Sequence, residues 1–413
     1  MSKANGTSAK AETYLRHVSL KNYKSIKDAE IDFKPGLNII IGKNASGKTN
    51  FVNGLHYALN FQENSLLNSE FSLNVILKDA EIDYHTIIKQ PIYDDMAEYN
   101  GMVGLISNDR ELMINKEIIQ IPDNQLTKNF LFDHDHYLLD VLIKHGTNYT
   151  DESLFVSVPL SFNLIVNGKI ALEVFTRFRN GNNSIFLEAF FFRMMSHLSI
   201  LNEKENFDQY FVENNIIVLK QELSTFCSDR LNNIKNAIST CSPIRQLRVS
   251  PNFEIRVDRV EKKVIITNFY LEFLIDETWL TFQLLSDGTK RVFYLVSELL
   301  GRDTLMPINS DDHIIALLEE PELGIHPHQL HLLMQFIKEQ SRYKQIIITT
   351  HSPQVLDTIG SDELDRIIIC EYDAKNGTQL RHLNEKETSK AKIYMEDAFL
   401  SDYWRFSDLE PVS

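Results

Sequence analysis

Eight residues near the N-terminus have the types and the spacing of a phosphate-binding loop. The segment from Gly42 to Thr49 fits the pattern G-x-x-x-x-G-K-[ST]. Gly42 and Gly47 permit backbone angles that other residues resist, so that consecutive N–H groups can converge on a phosphate. We expect Lys48 to reach the β- and γ-phosphates of a nucleotide and the Thr49 hydroxyl to face Mg²⁺. The other loop residues expected to contact the nucleotide are Asn44, Ser46 and Asn50.

The residues on either side of this loop have the patterns of a strand and a helix. The run Leu37–Ile41 is apolar and β-branched, which is typical of a buried strand. After the loop, Leu55 and Leu59 share a helical face with Phe51 or Val52. A helix that begins at the end of the loop presents unpaired N–H groups and a partial positive charge to an anion. Strand, loop and helix in this order are the context that the motif requires.

Acidic residues and a histidine follow two later strands. The apolar run 313–318 ends at Glu319 and Glu320, and the run 345–350 ends at His351. We expect Glu319 to hold Mg²⁺ through water and Glu320 to accept a proton from an attacking water. His351 is predicted to sense the γ-phosphate. The alternatives are an acidic turn before a proline and a structural histidine, and the phosphate-binding loop upstream favours the functional interpretation.

A second anion site is predicted at the start of another helix. Ser286, Asp287, Gly288 and Thr289 precede an apolar helical run that continues to Leu300. A serine and a glycine at a helix N-terminus can bind an anion through unpaired N–H groups. Taken alone, this segment is more often an ordinary helix cap. Its functional interpretation depends on the acidic strand that follows it.

The alternation of buried strands and helices predicts an α/β fold with a mostly parallel, doubly wound sheet. Strand patterns at 14–20 and 29–33 predict an N-terminal antiparallel β-meander. We call the domain that carries the phosphate-binding loop the head. The predicted division is a flexible tail over 1–13, the first half of the head over 14–60, an inserted α+β lobe over 61–280, and the second half of the head over 281–413.

The inserted lobe carries local patterns but no nucleotide motif. Asn167-Gly168 between two apolar runs predicts a β-hairpin. Helices are predicted over 184–201 and 207–238, and the sequence leaves open whether Asn214-Asn215 break the second. Strands are expected over 253–257, 263–267 and 270–275.

The composition restricts the class of protein. A formal net charge of −15 excludes a uniformly basic, non-specific DNA coat, but the basic N-terminal region leaves a local DNA-binding groove open. No apolar run approaches the ~20 residues of a membrane span, and the N-terminus lacks a signal-peptide core. Cys227, Cys241 and Cys370 have no metal-binding spacing. We therefore expect reduced thiols, a cytoplasmic location and no membrane partner.

The order of these motifs resembles that of ABC-type ATPase heads of the SMC and RecF class, and especially of the OLD-like ATPases of prokaryotic antiphage systems. The resemblance covers 14–60 and 281–372. It implies that the ligands are ATP and Mg²⁺. By this resemblance, 42–49 is the Walker A motif, 286–289 the signature, Glu319-Glu320 the end of Walker B, and His351 the switch histidine.

Three features depart from the ABC pattern. The signature has Asp287 where transporters have glycine. Walker B has Glu319 where many ATPases have aspartate. OLD-like ATPases also have a glutamate at this position, so Mg²⁺ binding is expected to survive. No glutamine stands out as the Q-loop residue, and Gln62 and Gln90 are equal candidates.

The resemblance also implies an oligomer. In such heads the signature of one subunit closes over the ATP that the other subunit's Walker A holds. We therefore expect an ATP-sandwiched homodimer, or a higher homo-oligomer, in which Ser286 and Gly288 act in trans.

The length of the chain restricts the function that the resemblance implies. OLD nucleases carry a Toprim nuclease domain after the ATPase, and the residues after His351, predicted as one strand and a tail, are too few for it. ATPases of the PARIS and Septu systems are similar in pairing with a separate effector. The resulting hypothesis is a sensor or regulatory ATPase that controls a separate nuclease or toxin. The alternatives are a RecF- or SMC-like DNA repair ATPase and a nucleotide-gated scaffold with little turnover.

Overall fold

The computed structural model describes eleven stretches of the chain. They are residues 13–59, 68–76, 81–87, 109–114, 117–119, 139–144, 160–166, 170–174, 213–258, 263–305 and 313–406. Two compact units are present: Met1–Gly146 with Asn309–Glu322 and Met334–Ser413, and Thr147–Ile308 with Leu323–Leu333. The division into a tail, a two-part head and an inserted lobe stays a prediction.

The strands and helices are numbered in chain order. The strands are β1 Tyr14–Tyr23, β2 Ile26–Asp32, β3 Leu37–Ile41, β4 Glu70–Ile76, β5 Glu81–Ile87, β6 Asp109–Ile114, β7 Glu117–Ile119, β8 Leu139–Lys144, β9 Leu160–Val166, β10 Ile170–Val174, β11 Ile244–Val249, β12 Glu254–Asp258, β13 Lys263–Phe269, β14 Leu271–Ile275, β15 Thr278–Thr281, β16 His313–Glu319, β17 Gln345–Thr350, β18 Ile367–Asp373 and β19 Gly377–His382. The helices are α1 Lys48–Leu59, α2 Glu213–Cys241, α3 Asp287–Leu305, α4 Pro327–Gln340, α5 Glu385–Tyr394 and α6 Leu400–Phe406.

The first unit is built on a 12-stranded mixed sheet. Its strand order is β7-β6-β5-β4-β1-β2-β19-β18-β3-β17-β16-β8. The strands from β18 to β8 pair in parallel, and the remaining neighbours pair antiparallel. The α/β fold class is confirmed, and the antiparallel part extends beyond the predicted N-terminal meander to β4–β7 and β19. Because β3, β17 and β16 run in the same direction, their carboxyl ends lie along one edge.

The parallel strands form the interior of this unit. Every residue of β3 and of β17 is buried, as expected for strands covered on both faces. The apolar face of α1, with Phe51 and Leu55, belongs to the same core as Ile40 of β3 and Ile347 of β17. Burial of a large apolar side chain stabilises a fold by about 1.5–3 kcal/mol. The helix that follows the phosphate-binding loop is therefore anchored directly to the sheet.

Within the residues that the structure describes, the second unit has two smaller sheets and two long helices. Its sheets have the orders β10-β9-β13-β12 and β11-β14-β15. The antiparallel pairing of β9 with β10 confirms the predicted hairpin strands. Phe273 and Phe293 pack edge to face with ring centroids 5.0 Å apart, and Phe282 lies against Tyr294 at 5.3 Å. These aromatic contacts connect β14 and the segment before α3 to the buried face of α3.

The structure resolves one open question from the sequence and corrects one expectation. The break left open at Asn214-Asn215 is absent from the described helix, because α2 runs from Glu213 through both asparagines to Cys241. The stretch after His351 is more than one strand and a tail, since it forms β18, β19, α5 and α6. Asn384 and Glu387 form a capping box at the start of α5, a signal that was present in the sequence.

Several predicted features lie outside the described residues. They are the N-terminal tail up to residue 12, the helix over 184–201, and the two Q-loop candidates Gln62 and Gln90. In the part of the chain that is described, no helix combines the length and the apolar character that crossing a membrane requires.

Candidate functional site

The phosphate-binding loop closes around the ammonium group of Lys48. Lys48 Nζ donates hydrogen bonds to the carbonyl oxygens of Gly42 and Lys43, at 2.7 and 2.9 Å. Ala45 and Gly47 have φ angles of 64° and 100°, in a region that glycine adopts readily and other residues seldom do. The chain therefore turns sharply after β3 and enters α1 at Lys48.

The two loop glycines allow β18 and β19 to lie against the loop. A Cβ atom at Gly42 would be 2.1 Å from the Cys370 carbonyl oxygen. A Cβ atom at Gly47 would be 1.9 Å from Thr378 Oγ1, which in turn hydrogen-bonds with Ser25 Oγ at 2.8 Å. Neither position has room for a side chain. The glycines are thus required by packing as well as by backbone conformation.

The polar residues of the loop differ in their surroundings. Asn44 is exposed, and Asn50 Nδ2 donates to Ser25 Oγ at 2.8 Å. Ser46 is buried, and its hydroxyl has no hydrogen-bond partner among the described residues. A buried polar group without a partner costs about 1–3 kcal/mol, so the Ser46 hydroxyl would gain from a polar ligand. The predicted nucleotide contacts of these three residues stay predictions.

The loop is in direct contact with the acidic end of β16. Thr49 Oγ1 donates a short hydrogen bond to Glu319 Oε1. The strand register explains this contact, because Ile40 pairs with Thr349 and Thr349 pairs with Glu319. Thr49 Oγ1 and Glu319 Oε1, which the sequence analysis predicted as sites for one Mg²⁺ ion, are therefore neighbours.

The charges near the loop are unbalanced. Burial lowers the pKa of the Lys48 ammonium, while Cys370, Glu320, Glu322 and Glu319 act in the opposite direction. Three carboxylates thus contribute to the electrostatic environment of the Lys48 ammonium, although the predicted ligand is a polyphosphate.

The residues at this point fit a magnesium ion. Mg²⁺ is usually held by one or two carboxylates together with the phosphates of its substrate. Thr49 and Glu319 supply oxygen ligands, and the described residues contain no group of three or more His, Cys, Asp or Glu that would make a complete protein cage. A divalent cation would also offset the repulsion between a polyphosphate and the three carboxylates. Thr49 and Glu319 are the residues that would hold it.

Glu320 and His351 face each other at the ends of neighbouring strands. His351 Nδ1 lies 3.3 Å from Glu320 Oε1. Glu320 has a φ angle of 45°, which is uncommon for a non-glycine residue and costs about 1–3 kcal/mol. Its N–H group donates to the Thr349 carbonyl oxygen at 2.7 Å, and this bond holds the turn. The pair has the geometry for proton transfer, and its catalytic roles stay predictions.

The predicted signature lies in the second unit, at the N-terminus of α3. Ser286 Oγ accepts a hydrogen bond from the Thr289 N–H at 3.3 Å and hydrogen-bonds with Thr289 Oγ1 at 2.8 Å, so Ser286 is a helix cap. Ser286 and Asp287 are exposed, whereas Gly288 and Thr289 are buried. A Cβ atom at Gly288 would be 2.3 Å from the Gly324 carbonyl oxygen. The trans role of this segment stays a prediction.

Sequence patterns did not indicate all the residues that surround the loop. Thr378 and Ser25 support Gly47 and Asn50, but no motif marks them because they are far apart in sequence. Glu322 is buried beside His351, and its signal was present as a third acidic residue after Walker B.

Two family models match the chain. The model described as "AAA domain" matches residues 17–246. The model described as "AAA domain, putative AbiEii toxin, Type IV TA system" matches residues 173–357. Together they span both the phosphate-binding loop and the acidic strand.

Among curated proteins, the "Retron Vc95 probable ATPase" of Vibrio cholerae serotype O1 biovar El Tor is 23% identical over 444 residues, which cover 94% of this chain and 79% of the relative. The DNA replication and repair protein RecF of Streptococcus agalactiae is 46% identical over 44 residues, only 11% of this chain and 12% of that protein. Among solved structures, the Smc head domain bound to the C-terminal domain of ScpA, from Pyrococcus furiosus, has a TM-score of 0.49 and 12% identity, covering 93% of this chain and 100% of that one.

The packing of the loop on β18 predicts the effect of a single methyl group. Gly42→Ala should lower the free energy of unfolding by about 1–3 kcal/mol, because the new Cβ overlaps the Cys370 backbone. Chemical denaturation and titration with an ATP analogue would measure stability and nucleotide affinity, and both should fall. Gly360→Ala is the matched control, because its Cβ would meet the ends of side chains and not the backbone, with Asp362 Oδ1 at 2.8 Å and Glu363 Oε2 at 3.3 Å. Equal stability and affinity for the two variants would contradict the packing argument.

Proposed function

The chain belongs to the family of proteins with this AAA domain, and on that premise we propose that it is a Mg²⁺-dependent ATPase whose copies enclose ATP as a dimer and control a separate effector. The resemblance to ATPases of the SMC and RecF class is confirmed by the two AAA-domain matches and by the retron ATPase and RecF relatives. The contact between Thr49 and Glu319 carries the proposal, because it joins the phosphate-binding loop to the acidic strand.

The residues at the strand ends can each take a different role in ATP hydrolysis. Lys48 binds the β- and γ-phosphates, and Mg²⁺ held at Thr49 and Glu319 would offset phosphate charge. Glu320 accepts a proton from the attacking water, and His351 contacts the γ-phosphate. The distance of 3.3 Å between Glu320 Oε1 and His351 Nδ1 supports their acting as a pair.

The exposure of the signature supports a dimer. Ser286 and Asp287 are exposed at the N-terminus of α3, and the Asp287 side chain is fully accessible. A helix N-terminus offers N–H groups to an anion, and a second protomer's γ-phosphate is the anion that we assign to it. In this dimer Ser286 and Gly288 act in trans on ATP held by Lys48 of the other copy.

The regulatory role is supported by the relatives. The Vibrio cholerae protein that matches over most of the chain is named as the ATPase of a retron, which fits antiviral defence. One of the matching family models is named after a toxin of a type IV system. We infer that the nucleotide state of the dimer holds or releases a nuclease or toxin encoded separately. A DNA repair ATPase is the second candidate, which the short RecF match favours.

Replacement of the proposed base tests whether turnover matters. Glu320→Gln should lower the rate of phosphate release by ~100-fold or more, because the amide cannot accept the proton of the water. The variant should also accumulate as an ATP-dependent dimer, which light scattering would detect. Glu385→Gln, an exposed change at the start of α5, is the control and should behave as the wild type. A scaffold would instead assemble equally well with and without Glu320.

A bulky charged residue at the signature tests the trans assignment. Ser286→Arg should block ATP-dependent dimerisation and leave ATP binding by the single subunit intact. Ser286→Ala reports the loss of the helix cap alone, about 1 kcal/mol, and Ser389→Arg places the same group on an exposed face of α5. Sedimentation with ATP would compare the three variants. Normal dimerisation by Ser286→Arg would refute the trans role.

Purification from the native host separates the two candidate functions. A defence ATPase should co-purify with the product of a neighbouring gene, and cells that lack it should become more sensitive to phage. A repair ATPase should bind DNA in the presence of ATP at low salt, with hydrolysis stimulated by DNA. Absence of an effector together with unchanged phage resistance would remove the defence hypothesis.

A further inference from the structure

A second carboxylate, that of Glu322, lies beside the switch histidine. Glu322 follows Glu320 and Pro321 in the turn after β16, and its side chain is only 6% exposed. Its Oε2 atom is buried and has no hydrogen-bond partner among the described residues. Burial of a carboxylate is unfavourable unless hydrogen bonds compensate for the lost water. In Glu322 the compensating hydrogen bonds are those of Oε1.

Glu322 Oε1 holds the end of β17 through two hydrogen bonds. Thr350 Oγ1 donates to it at 2.5 Å, and the His351 N–H donates at 3.3 Å. Thr350 Oγ1 also accepts a hydrogen bond from the Ser352 N–H at 2.9 Å. The backbone on both sides of His351 is therefore tied to one buried carboxylate.

The same oxygen lies close to the ring of His351. His351 Nδ1 is 3.6 Å from Glu322 Oε1 and 3.3 Å from Glu320 Oε1. A single ring nitrogen carries at most one proton, so Nδ1 donates to one of these carboxylates at a time. With Nδ1 directed at the carboxylates, Nε2 is the ring nitrogen left for another partner.

A purely structural cap would require only the bonds to Thr350 and to the backbone. Oε1 also lies 3.6 Å from His351 Nδ1, and a cap of the backbone alone does not need this contact. Glu320 and Glu322 lie in the same turn and are separated by Pro321 alone. The turn after β16 thus brings the proposed base and the buried carboxylate close to the histidine at the end of β17.

We propose that Glu322 is a positioning residue for ATP hydrolysis, which holds His351 so that Nδ1 faces Glu320. The proposal rests on the proposed ATPase function. Glu322 acts through His351 and does not contact the reacting phosphate. Its loss should therefore reduce kcat and leave KM almost unchanged.

The kinetic test uses the full chain with Mg²⁺ and ATP. Glu322→Ala should lower kcat by ~10- to 100-fold, comparable to His351→Ala, with KM changed by less than about twofold. Glu322→Gln keeps an oxygen acceptor and should retain more of kcat than Glu322→Ala. The double variant Glu322→Ala/His351→Ala should lose no more than the His351 variant, because the two residues act as a unit. Losses that multiply, or a kcat that Glu322→Ala leaves intact, would overturn the proposal.

Two further variants separate positioning from stability. Thr350→Val removes the donor to Glu322 but leaves the carboxylate in place, and it should lower kcat in the same direction. Glu363→Ala removes another half-buried carboxylate, which pairs with Lys338 at 2.5 Å, and should lower the thermal midpoint without changing kcat. If Glu322→Ala does not fold, Thr350→Val decides the question, and a wild-type kcat for that variant overturns the proposal.

Crystal structures of the nucleotide-free wild type and of Glu322→Gln and Thr350→Val provide a test that does not need activity. The His351 ring should leave Glu320 in Thr350→Val and stay within hydrogen-bond reach of it in Glu322→Gln. An unchanged ring in Thr350→Val would overturn the proposal. If the wild type hydrolyses no ATP, the proposed function fails, and these structures still decide whether the contact with Glu322 places His351.

Discussion

The parallel pairing of β3, β17 and β16 is the constraint on which the rest of the site depends. Parallel strands bring their carboxyl ends to one edge, and here the edge carries the phosphate-binding loop, His351 and the acidic end of β16. The contact of Thr49 with Glu319 follows from the register of these strands. A slip of one residue would turn the side chains of the slipped strand to the opposite face of the sheet.

Several groups of the site lie in unfavourable surroundings. Burial lowers the pKa of the Lys48 ammonium against the opposing effect of nearby carboxylates, and Glu320 has a left-handed backbone conformation. Ser46 Oγ and Glu322 Oε2 are buried without hydrogen-bond partners among the described residues. Such groups persist only where the surrounding fold overrides their cost, and a bound nucleotide with its cation would relieve several of them together.

Patterns within short segments of the sequence were sufficient to predict the parts of the fold that are formed within those segments. The loop at 42–49, the buried strand before it and the helix after it were predicted because glycine spacing and apolar runs are properties of short segments. The acidic strand end at Glu319 was found for the same reason. The break left open in α2 is absent, because Asn214 and Asn215 lie in the first turn of the described helix, where asparagine is better tolerated than in a helix interior.

The sequence alone therefore determined the nucleotide motif, the α/β class and the residues that carry charge at the strand ends. Only the tertiary structure decided that Thr378 and Cys370 fill the space beside Gly47 and Gly42, and that Glu322 holds the histidine turn. The glycine contacts join residues that are more than 300 positions apart, and the Glu322 contact joins the ends of two neighbouring strands. No spacing rule can specify them, because they depend on which strands become neighbours in the sheet.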